Sequence, residues 1–454
     1  MKEDLIMDYI IVLEFMVIIA CLLAGARYGG YGLGLISGLG LLVFAFVFHL
    51  APGKPPVDVL LTIMAVIGCA SVLQTAGGLN VMMRVAEKIL RRNPKYVTVL
   101  APITTWALTV MCGTGHVVYT MFPIIYDIAI KEGVRPERPM AVASIASQIG
   151  ICASPVSVAV VSMVAIMSKS TVPISIVQLL SISIPATLCG VIVAALWSLK
   201  RGKELDKDPV FQAKIQDPAQ KSYIYGETAT LLDKVFPKEA YWSAWIFFAA
   251  IGTVVLLGAF PELRPAFGAV GKAKPLSMNT AIQIMMLSAG SIILMVCCKN
   301  KIQEITNGTV FKAGMVAVIS IFGVAWMADT FFEAHFELLK GALAGVVATK
   351  PWTYAIVLFV VSKFVNSQAA AIAAMAPLGV SLGVDPLIML AFIPASYGYF
   401  ILPTYASDLA CIGFDRSGTT RIGKFIINHS FIIPGFIGVS SGCAMGYLLV
   451  KIFY

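Results

Sequence analysis

The chain has 454 residues, of which 59% are hydrophobic and only 13% are charged. A soluble globular domain is about half apolar and about a quarter charged, so this composition excludes an ordinary soluble protein and indicates one embedded in a lipid bilayer. The formal charge of +9 does not indicate nucleic-acid binding, because the lysines and arginines fall between apolar runs, as membrane topology requires.

Most of the apolar runs are long enough to cross a bilayer as helices, which takes about 20 residues each. The first begins at Leu5, with no basic stretch before it and no small-residue cleavage site after it, so we interpret it as a retained span. The sequence predicts an all-α polytopic membrane protein with ten transmembrane helices, near residues 5–25, 30–50, 57–76, 139–168, 174–199, 241–260, 277–298, 310–332, 386–414 and 425–450.

Two further apolar segments are interrupted by polar residues and do not fit as simple spans. Residues 97–130 contain the run CGTGH at 112–116, and residues 352–382 contain NSQ at 366–368. Each pattern is typical of a re-entrant hairpin, in which one half-helix enters the membrane and a second returns to the same side. Such backbone is tolerated at depth only where protein or a water-filled cavity surrounds it.

The distribution of basic residues between the loops predicts the orientation in the membrane. The loops on one side hold 23 of the 33 lysines and arginines, including those of the longest loop at 200–240. Because basic loops are retained in the cytoplasm, we predict that this side is cytoplasmic and that both termini are periplasmic. The 200–240 loop is interpreted as a solvated cytoplasmic linker.

The two halves of the chain repeat one order of motifs. In each half a polar interruption is followed by a GVxP turn, at 133–136 and 383–386, and then by a proline-containing break. Five spans in each half give the halves opposite orientations, which is the inverted-topology repeat of many secondary transporters. We predict a first repeat at 1–199, the linker at 200–240 and a second repeat at 241–454, each repeat with one hairpin.

Four polar breaks, at 113–116, 154–157, 366–368 and 404–408, are each followed by an apolar half-helix. A helix N-terminus presents unpaired N–H groups and about half a positive charge, so it attracts anions without a cationic side chain. Any one break can be an ordinary proline or glycine kink, but the recurrence in both halves favours one site for a substrate with two carboxylates. The predicted substrate-binding residues at the breaks are Thr114, Ser154, Ser157, Asn366, Ser367, Gln368 and Thr404.

Three ionisable residues complete the candidate site. Lys363 lies one helical turn before the second hairpin tip and can be a countercharge for substrate or can snorkel to the membrane surface. Asp408 can couple or gate transport, or can form a structural ion pair with Lys363. His116, at the first tip, can donate to a substrate carboxylate, carry a proton, or act as a structural donor. No catalytic residue, metal site or cofactor is predicted.

These segments resemble the anaerobic C4-dicarboxylate transporter (Dcu) family, and most of all its DcuB type, over essentially the whole chain. The motifs that carry the resemblance are PGKPPVDV at 52–59, LRRNPKY at 90–96, CGTGHVVYT at 112–120, ASPVSVAVVS at 153–162, SKFVNSQAA at 362–370, ILPTYASDLA at 401–410, FDRSGTTRIGKF at 414–425 and INHSF at 427–431.

The resemblance implies a secondary active transporter of the bacterial inner membrane that takes up fumarate, malate or aspartate and exports succinate during anaerobic growth. By analogy with the ion-transporter superfamily, it also implies a homodimer that works by an elevator mechanism of alternating access. A membrane enzyme acting on lipids is disfavoured, because the sequence has no HExxH motif or Asp-rich cluster. A channel is also disfavoured, whereas a proton- or sodium-coupled symporter of another small organic anion stays open.

Overall fold

The computed structural model is almost wholly helical and describes residues 2–55, 57–167, 174–226, 230–268, 274–298, 302–335, 350, 352–365, 367–402, 405–423 and 428–454. The first-half helices are α1 (Lys2–Arg27), α2 (Gly29–Phe46), α3 (Val57–Ala76), α4 (Gly78–Arg92), α5 (Val97–Cys112), α6 (Val118–Lys131), α7 (Glu137–Ile149), α8 (Val158–Met167) and α9 (Ile176–Ser198). The remaining helices are α10 (Pro209–Gln216), α11 (Pro218–Tyr225), α12 (Lys238–Ala259), α13 (Met278–Cys297), α14 (Ile302–Ile305), α15 (Thr309–Ala334), α16 (Trp352–Val365), α17 (Gln368–Ser381), α18 (Pro386–Ala391), α19 (Ala406–Phe414) and α20 (Ile432–Phe453). One antiparallel pair joins β1 (Ala266–Phe267) to β2 (Lys274–Pro275).

Within the described residues, seven helices are long and apolar enough to cross a membrane, or eight if the bent pair α3–α4 is one span. The protein is therefore a multi-pass membrane protein, as the composition predicts. The apolar parts of α1 and α2 are shorter, and the predicted 386–414 span is divided between α18 and α19. The count of ten transmembrane helices and the re-entrant course of the hairpins stay predictions.

Helix α4 lies between the predicted span at 57–76 and the predicted hairpin at 97–130, where the sequence analysis placed no helix. It turns away from α3 by 70° after Gly77, whose φ of 88° is readily adopted only by glycine. Met82, Met83 and Leu90 are buried, whereas Arg84 is half-buried and Lys88 is exposed. An apolar face and a basic face on one helix suit a position at the edge of the bilayer.

The helices pack as two groups. Helix group 1 contains α1, α2, α3, α12, α13 and α15, with α2 against α15 and α3 against α13. Helix group 2 contains α5–α9 and α16–α20, with α5 against α7 and α9 against α20. The groups meet where α3 contacts α8 and where α15 contacts α17. The predicted polar breaks described below lie in group 2, beside this contact.

Two close helix crossings depend on glycine. In group 1, a Cβ at Gly34 would lie 2.1 Å from the carbonyl oxygen of Ile319. In group 2, a Cβ at Gly190 of α9 would lie 2.2 Å from the carbonyl oxygen of Gly438 of α20. Small residues let two backbones approach in this way, and the close packing helps to hold helices together where lipid removes the hydrophobic driving force.

The two GVxP turns have the same hydrogen bonds. Gly133 and Gly383 have φ of 69° and 74°, the left-handed conformation that ends many helices. Val134 N donates to the Ala129 carbonyl at 2.9 Å, and Val384 N donates to the Gly379 carbonyl at 3.0 Å. Helices α6 and α17 therefore end in matching Schellman motifs at matching places in the two halves of the sequence.

The linker at 200–240 is not simply solvated, which corrects that part of the sequence interpretation. Phe211 and Ile224 are buried, and Tyr126 of α6 donates to the Ile224 carbonyl at 3.0 Å. Arg135, which follows α6, pairs with Asp208 at 2.6 Å. Burial favours the protonated form of Asp208, but hydrogen bonds from Arg135 and two backbone N–H groups outweigh it and hold the pKa of this carboxyl below its ordinary value. The linker is thus docked on helix group 2 by ion pairs whose members lie far apart in the sequence.

Candidate functional site

A cavity of about 460 Å³ lies between the two helix groups. Every one of the four predicted polar breaks contributes to its wall: residues 113–116 from the first, Val156 from the second, Ser367 and Gln368 from the third, and Tyr405 from the fourth. Helices α3 and α15 of group 1 form the opposite wall. This volume is in the range of small-molecule sites, so the breaks enclose a space large enough for a small organic ion.

The first hairpin tip joins α5 to α6. Helix α5 ends at Gly113, whose φ is 74°, and Thr114 is extended. Thr114 Oγ1 accepts a hydrogen bond from His116 N at 3.3 Å and lies 2.7 Å from His116 Nδ1. Thr114 therefore fixes the position of the His116 ring, and both side chains line the cavity.

The second tip joins α16 to α17. Ser367 is extended, and its Oγ accepts from Ala370 N at 3.3 Å, which is the N-cap that the sequence predicts for a half-helix. Gln368 follows at the first position of α17 and is buried. Ser367 and Gln368 both line the cavity, so the two tips face one space.

Gln368 also joins the two halves of the protein. Its Nε2 donates to the Gln148 carbonyl at 2.7 Å and to Tyr399 Oη at 3.4 Å, and its Oε1 accepts from Cys152 Sγ at 3.1 Å. Tyr399 Oη donates in turn to Gln148 Oε1 at 2.8 Å. These groups are buried and mutually bonded, and Gln148 also packs closely against Gly115 of the first tip, so the network ties the second tip to the helix on which the first tip packs.

The sequence interpretation missed Gln148, Cys152 and Tyr399. Gln148 and Tyr399 line the cavity, and each lies a few residues before a predicted break, in matching positions of the two halves. A polar side chain five or six residues before the second and fourth breaks was therefore a signal that could have identified them. Cys152 could not have been recognised in this way, because it lies in an otherwise apolar run.

Ser154 and Ser157 are completely buried and bond to nearby backbone. Ser157 Oγ donates to the Ile151 carbonyl at 2.6 Å and accepts from Val160 N at 3.1 Å. Ser157 therefore caps α8. Ser154 Oγ accepts from Val156 N at 3.3 Å. Neither serine is among the described residues that line the cavity, and their hydroxyl groups stabilise the break itself.

Asp408 lies in the first turn of α19 and is completely buried. Its Oδ1 accepts from Ser144 Oγ at 2.8 Å, and its Oδ2 has no hydrogen-bond partner among the described residues. Lys363, in the last turn of α16, is half-buried and interacts electrostatically with Asp408. Neither residue is among the described residues that line the cavity. Asn366 and Thr404 lie outside the described residues.

The polar groups of the described cavity wall are mainly uncharged, with a single side chain of the Lys, Arg, Asp or Glu type. Among the described lining residues Lys312 of α15 is the only one with a Lys, Arg, Asp or Glu side chain, and the sequence interpretation did not single it out. In the described part of the chain, no three His, Cys, Asp or Glu side chains come together as a metal site requires. The cavity offers hydroxyl, amide, phenol and imidazole groups, two helix N-termini and one ammonium group, which together suit an anion.

Comparisons with known proteins show the family to which the chain belongs. The family described as "Anaerobic c4-dicarboxylate membrane transporter" matches residues 10–454. The chain belongs to this family. The anaerobic C4-dicarboxylate transporter DcuB of Shigella flexneri is 54% identical over 444 residues, which are 97% of this chain and 98% of that protein. The C4-dicarboxylate transporter DcuA of Shigella flexneri is 40% identical over 442 residues, and that of Wolinella succinogenes is 37% identical over 450 residues, in both cases 97% of this chain and 99% of the relative.

The resemblance to the DcuA and DcuB family, and the prediction that the protein is a transporter and not an enzyme, are thus confirmed.

Two solved transporters share the fold. MtrF of Neisseria gonorrhoeae superposes with a TM-score of 0.61 at 13% identity and covers 98% of this chain and 95% of its own. YdaH of Alcanivorax borkumensis superposes with a TM-score of 0.55 at 15% identity and covers 92% of this chain and 88% of its own.

Proposed function

We propose that this DcuA/DcuB family member is a secondary active transporter of C4-dicarboxylates, and that the cavity between the helix groups binds one dicarboxylate. The observation that carries the proposal is the convergence of all four polar breaks on that cavity. Names of relatives at 54% and 40% identity support the substrate class. One carboxylate would face the first tip, with Thr114 and His116, and the other the second tip, with Ser367 and Gln368.

The transport cycle follows from the two helix groups. Group 2 would carry the substrate as an elevator, and group 1, assembled with that of a second copy in a homodimer, would stay fixed in the bilayer. Support comes from the cavity's position at the boundary between the groups and from the matching turns that end α6 and α17. The proposal includes two re-entrant hairpins and an inverted repeat of residues 1–199 and 241–454.

The direction of transport completes the proposal. The protein would lie in the inner membrane with both termini in the periplasm, take up fumarate, malate or aspartate, and export succinate by antiport. The excess of basic residues in the loops on the linker side supports this orientation. A symporter coupled to protons or sodium is the alternative.

Purified protein in liposomes loaded with succinate should take up labelled fumarate much faster than protein in empty liposomes, whereas equal uptake would favour the symporter.

Specificity for two carboxylates is the first prediction. Butyrate should inhibit fumarate uptake about ten- to a hundredfold more weakly than succinate does. It lacks the second carboxylate, and one charge-assisted hydrogen bond contributes about 1.5–3 kcal/mol. The measurement is the concentration of each acid that halves fumarate uptake. Maleate is a control that keeps both carboxylates but changes their separation. Butyrate and succinate competing equally would exclude a dicarboxylate site.

Asp408→Asn tests the role of the buried carboxylate. In the variant, Ser144 Oγ still has an acceptor, because the amide oxygen of the asparagine replaces Asp408 Oδ1. The negative charge beside Lys363 is removed. If Asp408 carries a coupling proton, the variant should still exchange succinate for fumarate but should lose uptake driven by a pH gradient. Loss of exchange as well would assign Asp408 to the structural pair with Lys363, and unchanged exchange and pH dependence would exclude both roles.

A further inference from the structure

Lys312 is an isolated charge in an otherwise neutral wall. Of the described residues that line the cavity, no other is a lysine, arginine, aspartate or glutamate. Its side chain is exposed and lies in the first turn of α15, in helix group 1. The hairpin tips that face it belong to group 2. The wall opposite the tips therefore presents a mobile ammonium group to whatever occupies the cavity.

The structure also shows on which face of the protein Lys312 lies. Gln74, near the end of α3, accepts from Val310 N at the start of α15 at 3.1 Å. The chain continues from α3 into α4, whose Glu87 accepts from Thr230 Oγ1 at 2.6 Å and from Leu231 N at 2.8 Å. The start of α15 is thus on the same face as the 200–240 linker.

The depth of the cavity places Lys312 near its mouth. The lining residues of α15 extend from Val310 to Ser320, and Ser320 is buried. A rise of 1.5 Å per residue puts Lys312 about 12 Å along the helix from Ser320. A substrate that enters from the linker face therefore passes Lys312 before it reaches the tips.

From this geometry we propose that Lys312 strengthens substrate binding on the linker face only. The inference rests on the proposed function, since it needs a dianion in the cavity. Lys312 raises the local concentration of dicarboxylate at the mouth and attracts the nearer carboxylate of the bound substrate. When group 2 moves and opens the site to the opposite face, Lys312 stays behind in group 1. Substrate on that face is then bound by the tips alone.

The test measures KM separately on the two faces. Wild-type protein, Lys312→Gln, Lys312→Arg and Lys207→Gln are expressed in bacteria that lack their own dicarboxylate carriers, and succinate exchange is measured in right-side-out and inverted membrane vesicles. Lys207 is the matched control, because it is exposed on the linker and does not line the cavity. Sidedness of the linker in each preparation is checked by protease access to an inserted cleavage site.

For Lys312→Gln, KM on the linker face should rise about tenfold, KM on the other face should be unchanged, and kcat should change less than KM. Lys312→Arg should keep a KM near that of the wild type. Raising the salt concentration should increase the linker-face KM of the wild type much more than that of Lys312→Gln.

The outcomes separate this inference from the proposed function. An unchanged linker-face KM in Lys312→Gln, or an equal rise on both faces, overturns the role of Lys312 while the transport activity stands. Equal rises of the linker-face KM in Lys312→Gln and Lys207→Gln also overturn it, because the effect would then come from the general surface charge of the linker face. Wild-type vesicles that show no succinate exchange would instead overturn the proposed function.

Discussion

Replacing Lys363 with alanine is expected to reduce succinate exchange by more than about a hundredfold. Asp408 is completely buried, and the charge of Lys363 acts on its carboxylate. Without Lys363 the buried carboxylate of Asp408 loses its countercharge, and a buried charge left uncompensated is strongly unfavourable. Exchange in proteoliposomes, normalised to the amount of monodisperse protein incorporated, measures the effect. Lys350→Ala is the matched control, since Lys350 is exposed just before the same hairpin.

The double variant Lys363→Ala/Asp408→Asn separates two roles of the lysine. If Lys363 only neutralises Asp408, removing both charges should restore exchange. If Lys363 also attracts the substrate, as the sequence predicts, the double variant should stay inactive although it is as stable as the wild type. We expect the second result. Exchange at the wild-type rate in the single Lys363→Ala variant would exclude both roles.

Replacing Gln368 with alanine is expected to lower exchange on the order of a hundredfold. The change deletes the contacts to the Gln148 carbonyl, Tyr399 Oη and Cys152 Sγ, and leaves buried groups unsatisfied at about 1–3 kcal/mol each. Because these contacts tie the second tip to Gln148, which also packs against Gly115 of the first tip, we expect the spacing of the two tips to become less well defined. Competition by dicarboxylates of different length measures the loss directly: the variant should discriminate less between succinate and the longer glutarate.

Gln283→Ala is the control for loss of a glutamine side chain. Gln283 Nε2 donates to Thr62 Oγ1 at 2.9 Å within helix group 1, away from the tips. This variant should lose some thermal stability but keep its preference for succinate over glutarate. If Gln283→Ala and Gln368→Ala lost length discrimination equally, the network around Gln368 would be a stabilising contact without a part in substrate recognition.

The positions of the helix breaks could be predicted from local sequence. Gly113 and Ser367 determine the ends of their half-helices by backbone preference and by a side-chain cap, and both effects act within a few residues. The convergence of the breaks was also foreseeable, because the same order of motifs occurs in both halves. The bend after Gly77 was missed because the glycine pair at 77–78 in a largely apolar run does not reveal a change in helix direction.

Contacts between distant parts of the chain could not be predicted. The pairing of Gln148 with Gln368 and of Arg135 with Asp208 depends on tertiary packing that periodicity does not encode. Lys312 lies in the first turn of α15, and only the position of α15 beside α17 brings it to the cavity. Whether Lys363 and Asp408 meet the substrate stays a prediction.

The glycine crossing between α9 and α20 has a consequence for biogenesis. Gly190 belongs to the first half of the sequence and Gly438 to the second, so the close-packed surface of α9 finds its partner only after more than 200 further residues have been synthesised. Until then the ribosome and the insertion machinery hold an incomplete bundle whose small-residue face is turned towards lipid. We therefore expect larger residues at Gly190, where a Cβ would lie 2.2 Å from the Gly438 carbonyl oxygen, to act first as assembly defects, with newly made protein degraded by membrane proteases before any loss of transport can be measured.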